Sequence, residues 1–339
     1  MSLQDIRWAT VGGGQVVEPP DAKKAQGWNA GEPSAAEYMN WWMKTVAEQL
    51  QIKWAGAEQV GIDLAIATMG NHVGLTALSN KRVAFIDDTN DDLRTYDFDG
   101  DVFAQVGNDL VVASGQSAIA ALGAARIAFL DDTNRDLRIY DFDGTDWAEF
   151  GTELAIGGTL GDPTMAALSA TRVAVADAVD GNLIAYDHNG TTWAQVGATL
   201  NVYAGGSSIA IAALNATDIA LINGIDSDLE LYRFSGTAWA QVGNSFAHPG
   251  GSSSTGLTAL NATDVAFQDS TEGVLKIYRW DGTDFAQVGF GTPGQSAASW
   301  LAALSGTHIA YIDVSNDDLR VYRFNHSPLN PFGVAGGSW

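Results

Sequence analysis

Cysteine is absent from this chain of 339 residues, and lysine occurs only six times. Without cysteine there can be no disulfide, no thiolate zinc site and no cysteine nucleophile. No apolar run approaches the ~20 residues that a membrane-spanning helix needs, and the first residues lack the apolar stretch of a secretory signal. Lysine and arginine total 17 against 40 acidic residues, a formal net charge of −23. This imbalance argues against broad electrostatic binding to nucleic acid or to an anionic bilayer.

Glycine and tryptophan are abundant, with 38 and 11 copies in a chain that is 46% hydrophobic. The apolar content is sufficient for a large core, so the chain is not expected to be disordered throughout. Many glycines and aromatic residues favour strands joined by tight turns over a helix bundle.

An internal repeat with steps of 44 to 46 residues covers most of the chain. Each unit contains an Ala-Leu pair and a later tyrosine, and five units end in a phrase such as FAQVG or WAQVG. Repeats of this length are typical of propellers and solenoids. The alanines of the pairs are Ala77, Ala121, Ala167, Ala213, Ala259 and Ala303, and the tyrosines are Tyr96, Tyr140, Tyr186, Tyr232, Tyr278 and Tyr322.

Each unit predicts four short strands, for which residues 82–87, 93–98 and 103–107 and the Ala-rich run 119–122 are examples. Asp-Gly and Asn-Gly pairs between the last two strands suit tight antiparallel turns. Four antiparallel strands per repeat predict a propeller blade, with the Ala-rich strand innermost. The aromatic residues that open the fourth strand are expected to pack between blades: Phe103, Trp147, Trp193, Trp239 and Phe285.

The number of strands indicates how the ring closes. The first three strands occur six times, but after residue 73 the fourth occurs only five times, and residues 54–61 (WAGAEQVG) supply the missing copy. We therefore predict an all-β fold, a six-bladed β-propeller of four-stranded antiparallel blades over residues 52–326, closed by an N-terminal outer strand. Residues 327–339 are expected to form a C-terminal tail.

The segment 1–51 has a different character. Ser34 and Glu37 form a capping box that predicts a helix over residues 34–50, after an extended stretch rich in glycine, proline and tryptophan. The helix would carry one apolar stripe, which either docks on the propeller or packs in an oligomer or a larger assembly. The stripe consists of Met39, Trp42, Met43, Val46 and Leu50.

Three motifs follow one another between residues 18 and 50: Pro-x-x-x-Lys-x-x-Gly-Trp from Pro20 to Trp28, Gly31-Glu32-Pro33, and Tyr38-Met39-Asn40-Trp41. This run resembles a phrase near the N-terminus of virion proteins of tailed bacteriophages, such as tail fibres and tail spikes. In that family the Gly-Glu and Pro are usually separated by one or two residues, whereas here they are adjacent. The resemblance implies that residues 1–51, with Trp28, Tyr38, Trp41 and the helix, attach the protein to the particle or form a homo-oligomer such as a trimer.

Two kinds of connection differ in their variability. In a propeller, the second-to-third connections and the fourth-to-first connections lie on one face, here named the loop face. The other turns lie on the opposite face, here named the turn face. The turns of the turn face are nearly identical between units, whereas the fourth-to-first loops vary, as recognition loops on a scaffold do. Candidate glycan contacts placed in these loops are His72, Tyr203, Phe246, His248 and Phe290.

Trp300 stands where the other units have a small residue or a threonine, at the start of the innermost strand. It is therefore a candidate binding platform at the mouth of the central channel, or a plug of that channel.

The second-to-third loops are acidic, which raises the question of calcium. Their carboxylates could bind Ca²⁺, but the order of an EF-hand loop is missing, and aspartate also caps turns. We therefore expect turn capping, with weak calcium candidates at Asp87, Asp88, Asp91, Asp131, Asp132 and Asp313.

Catalytic motifs are missing from the sequence. It contains no Gly-x-Ser-x-Gly, no Walker loop and no HExxH, so we expect neither an enzyme nor a cofactor.

The expected function is that of a phage virion protein of the tail-fibre type, assembled in the host cytoplasm, whose loop face binds a host-surface glycan. Its partners would be other tail, baseplate or capsid proteins, with no nucleic acid and no membrane insertion. The alternatives are a structural virion component that binds another virion protein, and a bacterial lectin or adhesin.

Overall fold

A computed structural model describes residues 57–66, 74–87, 89–112, 117–157, 163–202, 209–223, 225, 228–247, 256–269, 273–290, 299–313 and 316–324. They belong to one compact unit bounded by Gly56 and His326. The regular secondary structure in these ranges consists of β-strands, numbered β1 to β26 along the chain. The described residues include no helix that could cross a membrane. The segment 1–51, its predicted helix and the tail 327–339 lie outside the described residues.

The strands form six antiparallel sheets, blades 1 to 6, which confirms the predicted propeller. The first strand of each blade is innermost and rich in alanine, because the six inner strands crowd around one axis. Each inner strand contacts those of the two neighbouring blades, and β2 contacts β24, so the ring is closed. The inner strands are β2 (Leu75–Ala77), β7 (Ser117–Gly123), β12 (Thr164–Ser169), β16 (Ile209–Ala213), β20 (Leu257–Ala259) and β24 (Ser299–Ser305).

The second strands are apolar on both faces, because neighbouring blades cover both faces of each sheet. In β3 all residues after Arg82 are buried. The second strands are β3 (Arg82–Asp87), β8 (Arg126–Asp131), β13 (Arg172–Asp177), β17 (Asp218–Asn223), β21 (Asp264–Asp269) and β25 (His308–Asp313).

The third strands carry the repeated tyrosines, all of them buried. Their side chains alternate between the two neighbouring blades, as the period of two in a strand requires. The third strands are β4 (Asp92–Phe98), β9 (Asp136–Phe142), β14 (Asn182–His188), β18 (Asp228–Phe234), β22 (Val274–Trp280) and β26 (Asp318–Phe324).

The fourth strands are longer than the FAQVG phrase predicts. After a shift of register at the repeated glycine they continue along the third strand, as at Leu110, which pairs with Leu93. The second halves of these strands were expected to be loops, and that part of the prediction is wrong. The fourth strands are β5 (Phe103–Gln105) with β6 (Leu110–Val111), β10 (Trp147–Glu149) with β11 (Leu154–Ala155), β15 (Trp193–Asn201), β19 (Trp239–Ala247), β23 (Phe285–Phe290) and, for blade 6, β1 (Ala57–Ala65).

Blade 6 is completed from the N-terminal side, as predicted. Strand β1 pairs antiparallel with β26, with Ala57 opposite Phe324 and Val60 opposite Val321. Val60 and Leu64 pack against the apolar cluster between blades 6 and 1. The strand therefore contributes both backbone pairing and core contacts to the closed ring.

Aromatic side chains at the start of the fourth strands lie between blades, which confirms the prediction made for them. Trp147, Trp193, Trp239 and Phe285 are buried, and Phe103 is half-buried. The Trp147 indole Nε1–H donates a hydrogen bond of 3.0 Å to the Thr95 hydroxyl, which joins blade 2 to blade 1.

A backbone hydrogen bond also joins successive blades. The N–H that follows the repeated glycine of each fourth strand donates to a carbonyl in the third-to-fourth turn of the next blade. Blade 6 has no such turn, since its fourth strand is β1. The bonds in the described residues are Ile62 to Asp101 (2.7 Å), Asn108 to Thr145 (2.7 Å), Thr152 to Thr191 (2.7 Å), Ala198 to Thr237 (2.8 Å) and Asn244 to Thr283 (3.3 Å).

Ion pairs recur on the turn face, across the second and third strands of blades 1 to 5. Each joins an arginine to an aspartate, and blades 4 and 5 exchange the positions of the two residues. In blade 6, Arg323 pairs instead with Glu58 of β1. The pairs are Arg82–Asp97 (2.6 Å), Arg126–Asp141 (2.5 Å), Arg172–Asp187 (2.5 Å), Arg233–Asp218 (2.7 Å) and Arg279–Asp264 (2.7 Å).

His188 occupies a position that holds phenylalanine in four other blades and tryptophan in blade 5. It is 5% exposed, its Nδ1 accepts the Gly190 N–H at 3.1 Å, and its Nε2 has no hydrogen-bond partner in the described residues. Burial, helped by the charge of Arg126, lowers the pKa of His188 below its ordinary value of 6.5.

The variant His188→Phe should therefore stabilise the propeller most in acid. Because the folded state binds the His188 proton more weakly than the unfolded chain, wild-type stability is full above the unfolded pKa and falls as the pH drops below it. We expect a gain of about 1–2 kcal/mol near about pH 5, and a smaller gain near about pH 8 from removing the unpaired ring N–H. Urea unfolding at the two pH values measures this. The reverse variant Phe142→His should make blade 2 acid-sensitive, and an equal gain at both pH values for His188→Phe would contradict the assignment.

Candidate functional site

Most of the predicted glycan contacts lie outside the described residues, namely His72, Tyr203 and His248, together with the side chain of Phe290. The backbone of Phe290 ends β23, and so this residue lies in a strand. The structure therefore places two of the six candidate side chains, Phe246 and Trp300.

Phe246 lies in strand β19, not in a loop. It pairs with Leu229, and its ring stacks beside Tyr278 with 5.4 Å between the ring centroids. The equivalent residue is leucine in four blades (Leu64, Leu110, Leu154 and Leu200), so an apolar side chain at this place belongs to the core between blades. Because the register shifts at the preceding glycine, the alternating pattern is interrupted, and the sequence does not show that the strand continues.

Trp300 lies in β24 opposite Ile312 and is half-buried. It packs against the apolar cluster between blades 6 and 1, which includes Leu75 and Ile312. The central cavity of the ring is lined by residues 301–303 of this strand and not by Trp300. The indole thus fills the loop-face end of one blade junction.

A cavity of about 270 Å³ runs along the axis, lined by three residues from each inner strand. One layer of the lining consists of six alanines, as predicted for the crowded centre. Two threonines of the lining form hydrogen bonds to the next blade. The Thr76 hydroxyl accepts the Ala121 N–H at 3.0 Å, and the Thr258 hydroxyl accepts the Ala303 N–H at 3.1 Å. Among the described residues, the lining includes no ionisable side chain, so these residues offer no group for acid–base chemistry.

The acidic second-to-third turns are closed by their own aspartates. Asp87 accepts hydrogen bonds from the Thr89 N–H (3.1 Å) and the Asn90 side chain (2.8 Å), and Asp131 accepts from the Asn134 N–H at 3.0 Å. Asp313 accepts from the side-chain amide of Asn316 at 2.7 Å. Asp91 and Asp132 lie in the same turns, and Asp88 lies outside the described residues. In the part of the chain that the structure describes, no group of three His, Asp or Glu side chains is placed to hold a metal ion.

One position on the third strand differs between blades in a way that the sequence analysis missed. It holds a cation in four blades: Arg94, Arg138, Lys276 and Arg320. Each cation pairs with carboxylates, as in Arg94–Asp87 at 2.9 Å and the buried pair Lys276–Asp269 at 2.6 Å. Blade 3 instead has Ile184 and blade 4 has Glu230. The signal was present in the aligned third strands, where LRTY, LRIY, LKIY and LRVY contrast with LIAY and LELY.

The same two blades differ at the tips of their second-to-third turns. Val179 in blade 3 is 42% exposed and Ile225 in blade 4 is 50% exposed, whereas blades 1 and 2 have threonines there, Thr89 and Thr133. The loop face thus has an acidic side at blades 6, 1 and 2 and a more apolar side at blades 3 and 4.

No protein-family model matches the chain, and no curated protein matches it. Solved structures do share its fold. The β-propeller domain of Cps50 (Swd1) from Myceliophteria thermophila has a TM-score of 0.53 and 8% identity, covering 78% of this chain and all of that one. A mutant of Aleuria aurantia lectin in complex with Fucalpha1-6GlcNAc has a TM-score of 0.53 and 16% identity, covering 74% and 89%.

Virginiamycin B lyase from Staphylococcus aureus has a TM-score of 0.53 and 10% identity, and the match covers 78% of this chain and 98% of that one. At these identities the likeness shows the fold alone. The chain is therefore a six-bladed β-propeller protein by its own six sheets. The solved structures that share its fold include both a lectin and a lyase, so fold alone does not select a function.

Proposed function

We propose that this chain is a non-enzymatic, glycan-binding virion protein of a tailed bacteriophage, of the tail-fibre type. In this proposal residues 1–51 attach it to the particle, and the loop face of the propeller binds a saccharide on the host surface. The attachment part rests on the motifs between Pro20 and Trp41.

The contrast between the two faces carries the proposal. On the turn face, one turn recurs between the third and fourth strands, closed by a side-chain oxygen that accepts N–H groups two and three residues later. On the loop face, the tip of the second-to-third turn is a threonine in blades 1 and 2, a valine in blade 3 and an isoleucine in blade 4. Variation at one end of a uniform scaffold is typical of a recognition surface. The residues that close the repeated turns are Asp99, Asp143, Asn189, Ser235 and Asp281.

Two further points support a glycan as the ligand. A lectin in complex with a saccharide is among the structures that share this fold. A homo-oligomer on a particle would also multiply the weak affinity of a single saccharide site, because linked sites bind with high effective concentration.

Binding of the full-length protein to host cells tests the receptor part. We expect saturable binding to cells that the phage infects, and competition by polysaccharide extracted from those cells. A resistant strain that lacks the polysaccharide is the matched control. Absence of binding to a susceptible host would overturn the proposal and favour the structural virion role.

The attachment part predicts that Trp28→Ala with Trp41→Ala abolishes incorporation into particles while the propeller still folds. The reason is that both tryptophans belong to the motifs that carry the resemblance. Immunoblots of purified particles measure incorporation, circular dichroism measures folding, and Trp8→Ala, outside the motifs, is the control. Normal incorporation of the double variant would show that the attachment assignment is wrong.

A further inference from the structure

Glu230 is a buried carboxylate at a place where the scaffold does not need one. It is 8% exposed and stands where four blades hold a cation and blade 3 holds Ile184. Its neighbours Tyr232 and Phe234 on the same strand face belong to the apolar cluster between blades 3 and 4. Since isoleucine is accommodated at the same position, packing alone does not call for a charge there.

The partners of the Glu230 carboxylate are all neutral. It accepts hydrogen bonds from the Tyr232 hydroxyl (2.8 Å), the Gln241 side-chain amide (3.2 Å) and the Ser245 hydroxyl (2.6 Å). No lysine, arginine or histidine in the described ranges forms an ion pair with it. Burial first, and then the Glu230 carboxylate, raise the pKa of Tyr232, so this hydroxyl stays a donor. Burying a carboxylate without a cation is costly, and such a group is a candidate for function.

The network around Glu230 reaches the surface. Gln241 and Ser245 are both exposed on the outer strand β19, whereas the carboxylate beneath them is not. On the loop face of the same two blades, the turns that precede the third strands present Val179 and Ile225 to solvent. A sugar ring has an apolar C–H face and a polar edge of hydroxyl groups, so it needs both kinds of surface together.

We propose that the junction of blades 3 and 4 on the loop face is a saccharide site in which Glu230 accepts a hydrogen bond from a ligand hydroxyl or ammonium group. This inference rests on the proposed glycan-binding function. The ligand class is an uncharged or amino sugar. Sugars that carry a carboxylate are excluded, because they would place a second anion beside an unpaired one in a chain of net charge −23.

The test uses the full-length protein on immobilised D-galactose, N-acetyl-D-glucosamine, D-glucosamine and D-glucuronic acid. We expect binding to an uncharged or amino sugar and none to the glucuronate. The variant Glu230→Gln should weaken this binding by about tenfold or more, since charge-assisted hydrogen bonds are about twice as strong as neutral ones. The matched control is Glu149→Gln, on the outer strand of blade 2, which should bind like wild type.

A second pair of variants is independent of the buried network. Ile225→Asp should weaken binding, whereas Thr133→Asp, at the same turn position in blade 2, should not. Saccharide binding that is unchanged in both Glu230→Gln and Ile225→Asp, or binding that prefers glucuronate, would overturn this site while leaving glycan binding intact. Failure of the wild type to bind any sugar here or on host cells would overturn the proposed function, and this site with it.

Discussion

A chain that starts at residue 67 should fail to form a stable propeller. It lacks β1, and with it the pairing to β26 and the core contacts of Ala57, Val60, Leu64 and Ile66. At ~1.5–3 kcal/mol for each large apolar side chain removed from the core, plus the lost strand pairing, the cost is about 5–10 kcal/mol. A whole domain has only ~5–15 kcal/mol of stability. We expect aggregation and loss of the cooperative unfolding transition, measured by sedimentation and circular dichroism.

Two further chains complete this experiment. A chain that starts at residue 56 keeps β1 and should unfold cooperatively. A chain that starts at residue 67 should be rescued when residues 57–66 are placed after Phe324 through a copy of the turn 99–102, because β26 and β1 would then be joined as β4 and β5 are. A soluble, cooperative protein that lacks β1 altogether would show that the strand is not required for closure.

Gly107→Ala should strongly destabilise the junction of blades 1 and 2. Gly107 has φ +75°, and a Cβ there would lie 2.4 Å from the Thr145 carbonyl oxygen and 2.8 Å from the Phe142 ring. The left-handed backbone costs ~1–2 kcal/mol for alanine and overpacking costs ~1–3 kcal/mol more. We expect a loss of about 2–5 kcal/mol in the free energy of unfolding, measured with urea.

Gly144→Ala is the matched control, since Gly144 lies in the turn that Gly107 contacts. It has φ +105°, but a Cβ there would meet nothing within 4 Å. Only the backbone cost of about 1–2 kcal/mol then applies. If both variants lose the same free energy of unfolding, the close approach of the blades at Gly107 contributes nothing to the effect of Gly107→Ala.

The number of blades and the closure followed from the sequence because each blade repeats the same residues in the same order. Strand β3 was predicted with its correct bounds, since Arg82 and Asp87 mark its two ends. The second half of each fourth strand was missed. A strand pattern depends on a period of two, and the shift of register at glycines such as Gly107 interrupts that period.

The candidate site was harder to predict than the fold. Phe246 was selected as an aromatic residue in a loop, but its place in β19 makes it part of the core. Glu230 was overlooked, because an acidic residue is ordinary in a chain with 40 of them. Its significance depends on burial and on neutral partners, and both are properties of the folded chain.

The pairing of Ala57 with Phe324 determines the face at which the ring begins and ends. Ala57 begins β1, and Phe324 ends β26, where the third strands of the other blades reach the turn face. The polypeptide therefore enters and leaves the ring on one side, through its most uniform surface. The divergent loop face holds neither Ala57 nor Phe324, so a tether joined to the ring at either residue leaves that face free to point outward.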